Sequence, residues 1–246
     1  MDEVMFSVIT VTLNAENEIQ STIQSILSQT YENFEVIVKD GGSRDKTCQL
    51  LPKDDRIKVI QKKDCSVYDG MNQAVEFVHG DYIIFMNAGD TFYNETVLES
   101  VAKYIEINQI SKDIVLYGDY KRDDRINRQK NSLRQMDLYR KHLCHQSIFY
   151  SENLFRDIGR FDLDYHICAD HEFTVRLWSQ KVAFRHIDMV VCNYMGNGLS
   201  ENIQNLKLAK EEKKEIVNSY FSGLKHIAIT LIVFYFAPTV RKFIGH

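Results

Sequence analysis

Apolar and polar positions in the first part of the chain alternate between two periods. Residues 5–13, MFSVITVTL, form a β-branched run that predicts a buried strand. Asn14 then offers a turn, and Ile19, Ile23, Ile26 and Leu27 recur at helical spacing over residues 16–29. Residues 34–39, FEVIVK, predict a second strand ending in Asp40-Gly41-Gly42-Ser43, followed by a short helix over 44–51 and a third strand over 56–61. Residues 67–78 carry Met71, Ala74, Val75 and Val78 on one helical face, and residues 81–86, DYIIFM, predict a fourth strand closed by Asn87-Ala88-Gly89-Asp90.

Buried strands alternating with helices predict an α/β fold with a mainly parallel sheet covered on both faces. In such sheets ligands bind beyond the carboxyl ends of the strands. Polar clusters stand at three of those ends: Asn14-Ala15-Glu16, residues 40–43 and residues 87–90. Each alone reads as a cap or turn; their convergence on one sheet edge predicts a site.

The pattern loosens after a strand expected over 113–117. Residues 121–141 hold eight Lys/Arg against Asp123, Asp124 and Asp137, which fits a solvated hairpin or loop, or else a docking surface for an anionic head group. Two clusters follow: residues 142–146 (HLCHQ), and 168–172 (CADHE), which opens a helix running to Trp178. Residues 202–219 predict a charged helix. The run 227–237, IAITLIVFYFA, is shorter than the roughly 20 residues a bilayer requires. With Lys225, Arg241 and Lys242 beside it, it predicts either a buried terminal helix or contact with an anionic membrane surface.

Composition narrows the partners. Thirty Lys and Arg against 34 Asp and Glu give a net charge of -4, which argues against a global grip on nucleic acid. Five cysteines without a CxxC pair or zinc-like spacing suit reduced thiols. The acidic start, Met1-Asp2-Glu3, lacks the basic and apolar segments of a signal peptide, so a cytoplasmic location is expected. A dinucleotide-dependent oxidoreductase would need G-x-G-x-x-G after the first strand, where residues 14–18 read NAENE.

Residues 7–47 resemble the nucleotide-binding half of family-2 glycosyltransferases, which have the type-A glycosyltransferase fold. VYDGMNQAV (67–75), GDYIIFMNAGD (80–90), CHQSIFY (144–150) and ADHEFTVRL (169–177) follow in that family's order. The resemblance covers about residues 5–200 and is nearest to bacterial enzymes that build surface polysaccharides such as capsule and O-antigen. It implies one transferase domain over residues 1–200, with a nucleotide-binding half to about 118 and an acceptor half beyond it. A helical, membrane-associating tail over 201–246 would complete the chain.

The implied activity moves a sugar, with inversion, from a nucleotide-diphosphate sugar (UDP in many members) to a hydroxyl. The expected acceptor is a lipid-linked saccharide at the inner face of the plasma membrane. By the same resemblance, Thr12, Asn14 and Glu16 border the nucleoside, and Asp40 accepts a hydrogen bond from the base. Ser43 and Asp45 shape the adjacent turn, and Asp69 and Asn72 line the donor pocket, although helix capping also accounts for Asp69. Residues 87–90 occupy the place of the family's DxD metal motif. Asn87 and Gly89 replace its other positions, so Asp90 is the one full ligand for Mg²⁺ or Mn²⁺. Asp170 matches the general base, with Glu172 in reserve; His145 and Gln146 face the acceptor, and residues 196–200 resemble a loop closing over the site. The eroded metal motif leaves a second reading, a non-catalytic nucleotide-sugar-binding scaffold.

Overall fold

The computed structural model describes residues 3–110, 113–196 and 202–236. Its strands are β1 (Phe6–Thr12), β2 (Phe34–Asp40), β3 (Ile57–Gln61), β4 (Tyr82–Phe85), β5 (Thr91–Phe92), β6 (Ile114–Arg122), β7 (Arg125–Asn127), β8 (Ile148–Ser151) and β9 (Ala183–Asn193). The helices are α1 (Ile19–Leu27), α2 (Val67–Val75), α3 (Val97–Ile107), α4 (Gln135–Leu138), α5 (Glu152–Asp157), α6 (Ala169–Ser179), α7 (Leu206–Tyr220) and α8 (Gly223–Thr230).

One sheet runs in the order β3-β2-β1-β4-β8-β6-β9-β5, with β7 paired to β6. The block from β3 to β4 is parallel, as the sequence pattern implies. Beyond it the sheet is mixed: β8 runs antiparallel to both β4 and β6, while β9 is parallel to β6. The chain enters β8 from the carboxyl-end rim of the parallel block, so β8 must run back across the sheet. The same rim therefore gathers the ends of β1, β4, β6 and β9 and the beginning of β8.

Period-two alternation sorts the core onto two faces. Phe6, Val8, Val36, Ile84 and Met86 pack under α1 and α3, whereas Ile9, Val11, Ile37, Ile83 and Phe85 pack under α2 and α6. Between β1, which leads to β2 and β3 on one side, and β4 on the other, the strand order reverses. That reversal opens a crevice at the rim.

Two local expectations change. The helix expected over 44–51 contracts to a single 3-10 turn, Cys48–Leu50. Upstream of it, backbone amides are already taken by side chains, among them Ser43 N by Asp40 (3.0 Å) and Arg44 N by Asn14 (2.9 Å). The basic stretch 121–141 forms the β6–β7 hairpin and α4. Three of its cations pair with carboxylates: Arg128 binds buried Asp119 (2.6 Å), and Lys130 and Arg134 both bind Asp137.

Helix α7 packs on α6 through Ala209 and Ile216 against Ile167, Cys168 and Val175. Helix α8 buries Ile229 against Tyr139 and Val217, and a π-helical turn, Leu231–Phe236, continues it. Leu224, Ile227, Leu231 and Ile232 stay exposed. Among the described residues no helix is long and apolar enough to cross a membrane.

Candidate active site

The crevice is a cavity of about 930 Å³ lined from several elements around the rim. Asn14 and Ala15 follow β1, residues 87–90 follow β4, Tyr120 ends β6, His145 and Gln146 precede β8, and Tyr194 and Met195 follow β9. Asp170 enters from the first turn of α6, and Tyr68 and Met71 from α2.

Asp170 has the densest set of contacts. Its Oδ1 accepts from the Tyr68 hydroxyl and from the His171 amide, both at 2.9 Å, and its Oδ2 lies 3.4 Å from His145 Nδ1. Burial alone would raise its pKa. The hydrogen bonds from His145 and Tyr68 and the neighbouring imidazoles outweigh burial and hold the group well below the usual carboxylate range. Asp170 is thus a fixed anion with its side chain 12% exposed toward the cavity. Asp90 is tied down differently: Oδ2 accepts from Gln146 Nε2 at 2.8 Å and Oδ1 from the Met195 amide at 2.9 Å. Burial pushes its pKa up. Gly89, at φ +104°, gives the turn between Asn87 and Asp90 a conformation that side-chain-bearing residues avoid.

Of the other residues singled out from the sequence, Asn14 both lines the cavity and holds the rim, while Thr12, Glu16, Asp40, Ser43 and Asp45 hold the rim without lining it. Asp40 is fully buried, and its carboxylate accepts from the amides of Gly42 (3.1 Å) and Ser43 (3.0 Å) and from the Ser43 hydroxyl. Asn14, at φ +50°, donates its amide to Ser43 Oγ at 2.8 Å. Glu16 accepts from the Lys46 amide at 2.9 Å and donates its own amide to Asp45 at 3.1 Å. These bonds stitch the β1 and β2 loops together. Thr12 is buried, with no hydrogen-bond partner for its hydroxyl among the described residues.

Asp69 serves the start of α2: its amide donates to the Oγ of the cap residue Ser66, and its carboxylate accepts from the Cys65 amide at 2.9 Å. Asn72 spends both ends of its amide on the backbone of Phe161, at 2.8 and 3.0 Å. Glu172 lies two residues after Asp170, about 200° around the helix. It faces Arg176 (2.9 Å) and the Tyr220 hydroxyl, away from the cavity. Of the loop expected over 196–200, residues 197–200 lie outside the described residues.

Several lining residues were given no role from the sequence. His142 stacks on buried His171, ring centroids 4.3 Å apart, and burial depresses both pKa values, that of His171 to about 4. Lys210 and Lys213 reach the cavity from α7. Glu212, between them, accepts from the amides of His166 (2.8 Å), Ile167 (3.0 Å) and Cys168 (2.9 Å), and so fixes the segment leading into α6 and Asp170.

A divalent cation would meet hard oxygen donors here, though few. Asp90 supplies a carboxylate, and the buried Oδ1 of Asn87 lacks a hydrogen-bond partner among the described residues. Among the described residues no cluster of three or more His, Cys, Asp or Glu could enclose a metal. This sparse set fits a cation that takes the rest of its shell from substrate phosphates and water, as Mg²⁺ commonly does.

Residues 7–171 match the glycosyl transferase family 2 model, and the chain belongs to that family. Among curated proteins, a PGL/p-HBAD biosynthesis glycosyltransferase of Mycobacterium bovis is 32% identical over 237 residues, covering 92% of this chain and 89% of the relative. Among solved structures, S. aureus TarS in complex with UDP-GlcNAc has a TM-score of 0.67 at 17% identity, covering 97% of this chain and 73% of that fragment. The chain spans 42% of the longer TarS chain. A mannosyltransferase from Pyrobaculum calidifontis, in complex with GDP-Man and Mn²⁺, has a TM-score of 0.63 at 14% identity, covering 87% of this chain and 62% of that one. These likenesses bear out the type-A glycosyltransferase fold.

Proposed function

We propose that this glycosyltransferase moves a sugar from a nucleotide-diphosphate donor, UDP-linked as the first choice, to a hydroxyl of a lipid-linked saccharide, with inversion and with Asp170 as general base. The observation that carries this reading is the placement of Asp170: an ionised carboxylate held by Tyr68 and His145 at the wall of a cavity whose other side is built from the β1 and β4 ends. The complexes of the related structures with UDP-GlcNAc and GDP-Man support a nucleotide sugar as donor.

In the reaction the acceptor oxygen attacks the anomeric carbon as the bond from that carbon to the β-phosphate oxygen breaks, and the nucleoside diphosphate departs. The acceptor proton passes to Asp170. A base of this kind contributes roughly 10²–10⁴-fold to the rate. Its depressed pKa keeps it ionised before substrate arrives, and the charge of a bound diphosphate raises its basicity where the proton is taken. A divalent cation held by Asp90 and Asn87 would neutralise diphosphate charge. Thr12, Asn14, Glu16, Asp40 and Ser43 shape the nucleoside end of the site. The exposed face of α8, with Lys225 beside it, supports contact with an anionic membrane that presents the acceptor.

A panel of nucleotide sugars, assayed for transfer and slow hydrolysis with and without Mn²⁺, tests the reading. Wild type should turn over one donor, and Asp170→Asn should lose at least about 100-fold in kcat while still binding it. An Asn variant with wild-type kcat overturns Asp170 as the base.

A further inference from the structure

Helix α7 presents Leu206, Ala209, Lys210 and Lys213 to the cavity, the i, i+3, i+4, i+7 stripe of one helical face. The family match ends at residue 171, so this wall lies outside the matched segment. Lys213 is half-buried, and among the described residues its ammonium makes no hydrogen bond or ion pair. Ammonium groups withdrawn from water ordinarily have a partner. Burial also lowers its pKa, with Cys168 and Asp170 opposing. The other charged walls of the cavity are acidic, Asp90 and Asp170, with Glu18 near the β1 end. A substrate carrying a diphosphate would meet net repulsion from them, and Asp90 with Asn87 offers a cation few protein ligands.

We propose that Lys213, supported by Lys210 one turn earlier, binds the diphosphate of a substrate and offsets its charge in the cavity that Asp170 also lines. The inference rests on the glycosyltransferase reading above. Its position is set by Glu212, whose grip on the amides of residues 166–168 anchors α7 next to the start of α6. The donor and a prenyl-diphosphate acceptor share this chemistry, and the experiment separates them.

Calorimetric titrations in EDTA-containing buffer would measure UDP, GDP and dTDP against their nucleosides, and farnesyl diphosphate against farnesol, on wild type, Lys213→Met and Lys213→Arg. The expected result is a loss of about tenfold or more for Lys213→Met on one diphosphate, with its uncharged counterpart unaffected and most of the affinity kept by Lys213→Arg. Loss on a nucleoside diphosphate assigns the donor; loss on farnesyl diphosphate assigns the acceptor. If wild type binds a diphosphate and Lys213→Met binds it equally, the assignment to Lys213 falls and the glycosyltransferase reading stands. If wild type binds none of these diphosphates in EDTA, the assignment to Lys213 falls, and the glycosyltransferase reading falls with it only if added Mn²⁺ restores no nucleoside diphosphate binding. Unchanged circular dichroism and melting temperature in Lys213→Met keep a loss from being ascribed to misfolding.

Discussion

The hydroxyl of Tyr68 lies 2.9 Å from Oδ1 of Asp170 and 2.9 Å from the carbonyl oxygen of Ile167, so one phenol ties α2 to the start of α6 across a hundred residues of chain. Burial raises the Tyr68 pKa well above its usual value, and the Asp170 charge adds to this, so the phenol remains a donor at every working pH. Tyr68→Phe removes that donor and keeps the ring. The expected outcome is a three- to tenfold (about) lower kcat, with the acid limb of the kcat/KM profile moved to higher pH because the carboxylate has lost a stabilising bond. Stability should fall by about 1 kcal/mol. A pH profile identical to wild type would remove Tyr68 as a positioning residue.

Glu212 supports Asp170 from behind. Replacing its carboxylate with Glu212→Ala leaves three amides of residues 166–168 without their acceptor. Hydrogen bonds to charged groups contribute roughly 1.5–3 kcal/mol each, and water reaching the gap would recover part of this. A net loss of about 2–4 kcal/mol, read by urea denaturation, is expected, together with a reduced kcat.

Asn72 gives a prediction of the opposite kind. Both ends of its amide are engaged by the Phe161 backbone in a buried setting, so Asn72→Asp removes one donor and buries a charge. About 2–3 kcal/mol of stability should be lost, while the affinity for the donor nucleotide changes little once measured below the melting transition. A selective loss of donor affinity with unchanged stability would return Asn72 to the donor pocket.

The stacked histidines make the fold acid-sensitive. The pKa of His171 is depressed by burial from 6.5 to about 4 in the folded protein, so between those values the unfolded chain binds more protons. Stability therefore rises with pH through this window: it is fully present above about 6.5 and lost progressively toward 4. Melting temperatures measured from pH 4.5 to 7.5 should fall on the acid side, following a loss of stability on the order of 1–3 kcal/mol. His171→Gln should flatten that dependence, and an equally steep curve in the variant would exclude His171 as its source.

The tail prediction uses the exposed face of α8. Ile227→Glu with Leu231→Glu leaves the packing of Ile229 against Tyr139 and Val217 in place. Wild type should co-sediment with vesicles containing anionic lipid, and the double variant should lose most of that binding. Equal sedimentation of the two proteins would remove α8 as the contact.

The order of strands and helices through residue 86 was largely legible from the sequence because continuous β-branched and apolar runs mark β1, β2 and β4, and a period of 3.6 marks α1 and α2. The sheet edge that would carry the site followed from the same reading, since polar turns after parallel strands fall on one rim. Local periodicity could not say which polar side chains face the cavity and which serve the fold. Asp69 and Tyr68 are adjacent, yet one serves the start of a helix and the other reaches Asp170, a difference set by helix rotation against partners distant in the chain. Asp170 and Glu172 separate for the same reason. The mixed character of β8 and β9, the stacking of His142 on His171, and the lysines that α7 brings to the cavity depend on contacts spanning tens of residues. Only the closed tertiary structure decides which of those contacts form.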